Sequence, residues 1–186
     1  MNESRFEDLY RQELQDIYDA EKQIVQALPR LIAAASTAEL ASAFEKHLQQ
    51  TREQVKRLER VFEMMEEQPA NRTCEGMQGL LKEGEKLISE MEKSPILDAG
   101  LIAAAQKVEH YEISAYGTLR TMAEMLGQPD AAELLNETLD EEKTTDENLT
   151  EIAESVLSGE AMADEADLDE HEELEDETEE EEITTE

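Results

Sequence analysis

The stretch "QKVEHYEISAY", residues 106–116, places Glu109 and Glu112 three residues apart amid an otherwise apolar run. At helical spacing Ile102, Gln106, Glu109, Ile113 and Tyr116 share one side, with Glu112 on its edge. A carboxylate pair on an inward helix face needs a cation, a proton or a hydrogen-bond donor opposite it. On facing helices such pairs can hold two iron or manganese ions, the oxygens neutralising and bridging them. Other segments offer polar residues for the same purpose. Glu13, Asp16 and, less centrally, Glu21 lie in "ELQDIYDAEKQIVQALP" (13–29). His47, Thr51 and Gln54 form a ladder at spacings of four and three beside Phe44 and Leu48, while Glu142 and Asp146 sit between Leu139 and Leu149.

Each of these residues also has a plainer reading. In a chain that is 35% charged, carboxylates reach helix interior edges by chance. Glu13, Glu21 and Asp146 read as solvated, and His47 as a half-buried side chain hydrogen-bonded to a neighbour. His110 follows Glu109 directly and so points about 100° away, which suits a surface position. Tyr18 and Tyr116 are core aromatics first and redox-active groups second.

Four long segments with helical periodicity must position these residues, with a shorter one between the pairs. Helix A is expected from about Arg5 to Ala35, opened by a Ser4/Glu7 capping box and kinked near Pro29. Helix B runs from about Thr37 to Glu67, with Ser36 and Glu39 forming a second box. The middle helix spans about Cys74 to Glu92. Helix C opens at Ser94–Pro95 and stops at Gly127; helix D runs from Pro129 to about Leu157. Their midpoints fall near residues 20, 52, 111 and 142, so the polar candidates can meet at one level. Short A–B and C–D links with a long crossover give an all-α, ferritin-like four-helix bundle whose B–C connection contains a short fifth helix. Two hairpins packed in another way are the alternative.

Composition bounds the rest. Three Phe, four Tyr and no Trp favour helices over sheets. Lone Cys74 excludes an intramolecular disulfide framework and fits a reducing setting. "MNESRFEDLY" has no basic leader before an apolar run, and no stretch approaches the roughly 20 apolar residues of a membrane span. A cytoplasmic protein with no membrane association is expected. Net charge is −33, and residues 158–186 hold 16 Asp or Glu with no Lys or Arg. The other 157 residues, with 33 acidic and 16 basic side chains, still carry −17. Such a field repels phosphate backbones, so nucleic acid is not an expected partner. High-salt life is one explanation of the acidity, and residues 158–186 read as a disordered or loosely helical acidic tail beyond a bundle of residues 1–157. Ser-His-Asp spacing, a reactive-cysteine motif and a phosphate-binding glycine loop are all missing.

The sequence resembles the YciF/YciE-like family of ferritin-like, stress-associated proteins. The resemblance rests on residues 13–29 above, "FEKHLQQTREQVKRLERVF" (44–62), "CEGMQGL" (74–80), "AAQKVEHYEISAYGTL" (104–119) and "LLNETLDEEKTTDENLTEIA" (134–153). It implies a ferritin-like fold, a homodimer and a relation to rubrerythrin-type di-metal proteins. Di-iron bundles usually carry Glu-x-x-His on two helices. This chain has none: Phe44 precedes His47 by three, and Thr145 follows Glu142 by three. Either the site is atypical, with Asp16, His47, Glu109, Glu112 and Glu142 holding iron or manganese, or a former site persists as a hydrogen-bonded polar core. The first reading makes a di-metal oxidase or peroxide-removing activity conceivable; the second makes the protein a non-catalytic dimeric partner-binding one.

Overall fold

A computed structural model describes residues 3–70 and 72–183, with side chains for 5–70 and 72–158. Five helices follow in order: α1 Glu3–Ala34, α2 Ala38–Met64, α3 Glu75–Glu90, α4 Pro95–Met125 and α5 Pro129–Ile183. Helices α1 and α2 pair, as do α4 and α5. The pairs close a bundle through α1–α4 and α2–α5 contacts, while α3 lies against α1 and α4. This is the ferritin-like connectivity, with α3 as the fifth helix inside the crossover.

The helix ends follow local chemistry, with three departures from expectation. Thr37, not Ser36, caps α2; its Oγ1 accepts from Leu40 N at 3.4 Å. Ser4 falls inside α1, and the residue preceding Glu3 lies outside the described residues. Cys74 Sγ and Ser94 Oγ cap α3 and α4 by accepting from Met77 N and Leu97 N. Gly127, at φ 69°, ends α4 in the left-handed region where a side chain would be strained. Helix α1 continues through Pro29 to Ala34. Helix α5 is described to Ile183, past the end near Leu157 given by apolar spacing; Glu and Ala, both good helix formers, abound there. The expected acidic tail falls on residues whose side chains, after Ser158, lie outside the described set.

Ser36 and Thr37 serve a longer-range contact. Asp98, fully buried in the first turn of α4, accepts from Ser36 N at 2.6 Å, Ser36 Oγ at 2.8 Å, and Thr37 N and Oγ1 at 3.0 Å each. The charge that interrupts the apolar run "ILDAGLIAAA" thus ties the start of α4 to the α1–α2 link. It fixes which ends of the two hairpins meet. Asp98→Ala strands two backbone donors and two hydroxyls, a loss of about 3 kcal/mol. A chain of this size should then melt roughly 6–12 °C lower, which calorimetry can measure.

The core is built on heptad-like spacing in every long helix. In α2 the inward positions are Leu40, Phe44, His47, Thr51, Gln54, Leu58 and Val61, all buried. The α1 series is Tyr10, Leu14, Ile17, Glu21, Ile24 and Leu28, also buried. Both series are apolar at their ends and polar at mid-height, as are the inward faces of α4 and α5 around Glu109, Glu112 and Glu142. Among the described residues no helix is long and apolar enough to cross a membrane.

Candidate metal centre

His47 from α2, Glu109 and Glu112 from α4, and Glu142 from α5 converge at mid-bundle. Each offers one ligand atom, and these atoms all lie within 4.8 Å of one another. Glu109, Glu112 and Glu142 are fully buried, and His47 is 3% exposed. His47 Nδ1 stands 3.3 Å from Glu109 Oε1, and His47 Nε2 stands 3.9 Å from Glu142 Oε2. Among the described residues, both oxygens of Glu109, both of Glu112, Glu142 Oε2 and His47 Nε2 have no hydrogen-bond partner. Buried carboxylate oxygens are rarely left without donors, because each loses its hydration with nothing in return.

Glu21 of α1 joins this group from the opposite wall. Its side chain is fully buried, its Oε1 accepts from Tyr116 OH, and its Oε2 has no partner. The expectation that Glu21 is solvated is overturned: it occupies an inward heptad position between Ile17 and Ile24, one full turn from each neighbour. Asp16 lies elsewhere. Five residues from Glu21, it is rotated about 140° around α1 and faces the crossover. There its Oδ2 accepts from Tyr111 OH at 2.8 Å and lies 3.0 Å from Cys74 Sγ, while Arg72 Nε stands 3.6 Å from Oδ1. Asp16 therefore anchors the start of α3 and is not part of the mid-bundle group.

The remaining expectations sort by exposure. Glu13 is exposed. His110 is exposed and 3.2 Å from Asp146 Oδ2, which leaves Asp146 engaged outside the core. Gln106 Nε2 also donates to Asp146, at 3.2 Å. Tyr18 donates to Glu59 at 3.0 Å and meets Phe62 edge-to-face, so it lines the outer α1–α2 seam. Tyr116, by contrast, is fully buried against the carboxylate group.

A second layer holds the carboxylates in place. Gln54 Nε2 donates to Glu142 Oε1 and, at 3.0 Å, to Glu141 Oε2. Arg57 binds Glu141 through both guanidinium ends, at 2.9 and 3.0 Å, and Thr138 Oγ1 at 2.7 Å. Its fixed positive charge favours ionised Glu142 and Glu21. Burial works the other way and is stronger. Burial, followed by the charge of Glu142, pushes Glu21, Glu109 and Glu112 well above the usual carboxylate range. Glu142 itself is pushed up to about 7, chiefly by burial, and burial lowers His47 to about 4. A neutral imidazole beside several carboxyls is the protonation state in which histidine can ligate a metal.

Residues 5–163 match the model of a family described as a domain of unknown function, DUF892. The chain belongs to that family. Protein YciF of Escherichia coli (strain K12) is 48% identical over 154 residues, covering 82% of this chain and 93% of that protein. The crystal structure of the same organism's stress protein YciF superposes with a TM-score of 0.80 at 46% identity, covering 82% and 97% of the two chains. The Rhodopseudomonas palustris protein YcfI gives 0.76 at 41% identity, covering 78% and 92%. A Xanthomonas campestris protein, 18% identical with a TM-score of 0.68, shares the fold. Membership in DUF892 bears out the resemblance read from the sequence, and the E. coli relative is a stress protein.

Proposed function

We propose that this protein is a ferritin-like, metal-binding relative of the YciF stress proteins, with iron or manganese held by His47, Glu109, Glu112 and Glu142. The carrying observation is the set of buried, partnerless oxygens from three carboxylates gathered around one imidazole. Oxygen donors with a single imidazole suit iron or manganese better than a thiolate-seeking metal. Gln54 orients Glu142, while Tyr116 orients Glu21 as a further carboxylate at the edge of the group. Bound iron or manganese supplies a redox couple able to exchange electrons with oxygen or peroxide. The protein's part is to strip water from the site, hold the oxygens at fixed positions and release the ligands' protons to solvent as they ionise.

A second reading has its own observation. With their acidities so weakened, the carboxyls can remain protonated and bond to one another, leaving a polar core that sets helix register without metal. Elemental analysis of protein from iron- or manganese-supplemented cells separates the two. One to two equivalents per chain is the expected result; metal-free protein that also takes up no Fe(II) anaerobically removes the first reading.

The proposal extends to a cytoplasmic homodimer. Leu9 near the start of α1, Met64 at the end of α2 and Met125 at the end of α4 are exposed apolar side chains at one end of the bundle. Sedimentation should return twice the 21.1 kDa chain mass; a monomer at micromolar concentration overturns this part.

A further inference from the structure

Among the described residues, one member of the buried group borders an open cleft. A cleft of about 300 Å³ runs along the α2–α5 seam, and His47 forms part of its wall. Glu39 and Glu151 stand at its exposed rim with Lys46, and Gln50 and Thr145 line it nearer His47. The larger groove between α1 and α3, by contrast, contains no member of the buried group. His47 is 3% exposed, and its Nε2 has no partner.

We infer that the α2–α5 cleft is the route by which a divalent cation enters the core, with the Glu39 and Glu151 carboxylates capturing it and His47 receiving it. The inference rests on the metal-binding reading above and adds the path and the residues along it. Three features of the cleft carry it. Its rim has two carboxylates and one ammonium, in a chain whose overall charge of −33 concentrates cations near every surface. Gln50 and Thr145 offer neutral oxygens part-way, able to replace the waters that a divalent ion must shed. At the inner end stands an imidazole with a free nitrogen, which favours transition metals over calcium or magnesium.

Thr145 is the lining residue to alter. It is half-buried on α5, three residues from Glu142, and its hydroxyl already bonds back to Glu141 O at 3.1 Å. Thr145→Phe fills the cleft without removing any member of the buried group. Lys46 is exposed, so Lys46→Glu leaves the packing alone and makes the rim uniformly acidic.

The test is stopped-flow uptake of Co(II) alone by the full chain, followed through its visible absorption. Thr145→Phe should slow uptake at least about tenfold while the final Co(II) content stays that of the unaltered protein. Lys46→Glu should speed it roughly two- to fivefold at low ionic strength, with the gain vanishing in about 0.5 M salt. If the unaltered protein takes up no Co(II), the metal-binding reading itself fails. If it binds Co(II) and neither variant changes the rate, the metal-binding reading stands and the entry route is overturned. Should Thr145→Phe not fold, the rate and salt dependence of Lys46→Glu decide the matter alone.

Discussion

Glu142→Gln is expected to lower metal content to below about a tenth of the unaltered protein's while raising the melting temperature of the metal-free form. The opposite signs follow from one cause. Glu142 brings one of the three carboxylate oxygens that meet His47 at mid-bundle, and an amide is a poor replacement for a ligand that must neutralise a cation. In the metal-free chain the same carboxyl is a burden, its acidity weakened from 4.5 to about 7. Keeping it folded at neutral pH thus costs on the order of 3 kcal/mol relative to the unfolded chain. Glutamine removes that cost and keeps a carbonyl for Gln54 to donate to. Glu109→Gln should act in the same direction, since both its oxygens lack partners. Metal analysis and calorimetry on the same preparations check both signs. A variant that loses metal and also melts lower when metal-free would show that the carboxylate has a donor not seen among its neighbours.

The second large effect is the pH dependence of the metal-free protein. In the unfolded chain Glu21, Glu109, Glu112 and Glu142 release their protons near 4.5, whereas the folded chain retains them to higher pH. The native state therefore binds more protons above that point, and stability falls as pH rises, through about 7 for Glu142. His47 opposes this trend. Lowered from 6.5 to about 4, it contributes stability above 6.5 that is lost as pH drops toward 4. Four carboxyls outweigh one imidazole, so metal-free protein should melt at a lower temperature at about pH 8 than at about pH 5.5. Metal reverses the order, because binding needs ionised ligands and the displaced protons favour it at high pH. Melting curves with and without Mn(II) should diverge as pH rises. Parallel curves would mean that the carboxyls do not ionise on binding.

Much of this architecture is legible in the sequence because apolar spacing and breakers agree. "KSPIL", Gly127 and Pro129 mark helix ends, and a crossover of about thirty residues with its own helix leaves few ways to close four helices. His47, Glu109, Glu112 and Glu142 stand out for the same reason: each interrupts an apolar ladder at a helix midpoint. Glu21 was legible too, since Leu14, Ile17, Glu21, Ile24 and Leu28 keep the three-four spacing. Its neighbours Asp16 and Asp19 obscure it in a helix rich in acids. Asp16, one position off that ladder, belongs to the docking of α3. That contact joins residues 58 and 95 positions apart, and no local pattern encodes it. The roles of Asp98 and Arg57 are hidden likewise, because their partners are distant in sequence, in the α1–α2 link and on α5 respectively.

A metal ion held by the mid-bundle carboxylates, as proposed, would be directly visible in a crystal. Anomalous diffraction at the manganese edge, from crystals of the full chain grown with Mn(II), tests it at the atoms concerned. A peak bounded by His47, Glu109, Glu112 and Glu142 is expected, with Asp16 outside its coordination sphere. A core with no anomalous density, its carboxyl oxygens bonded to one another instead, would contradict it.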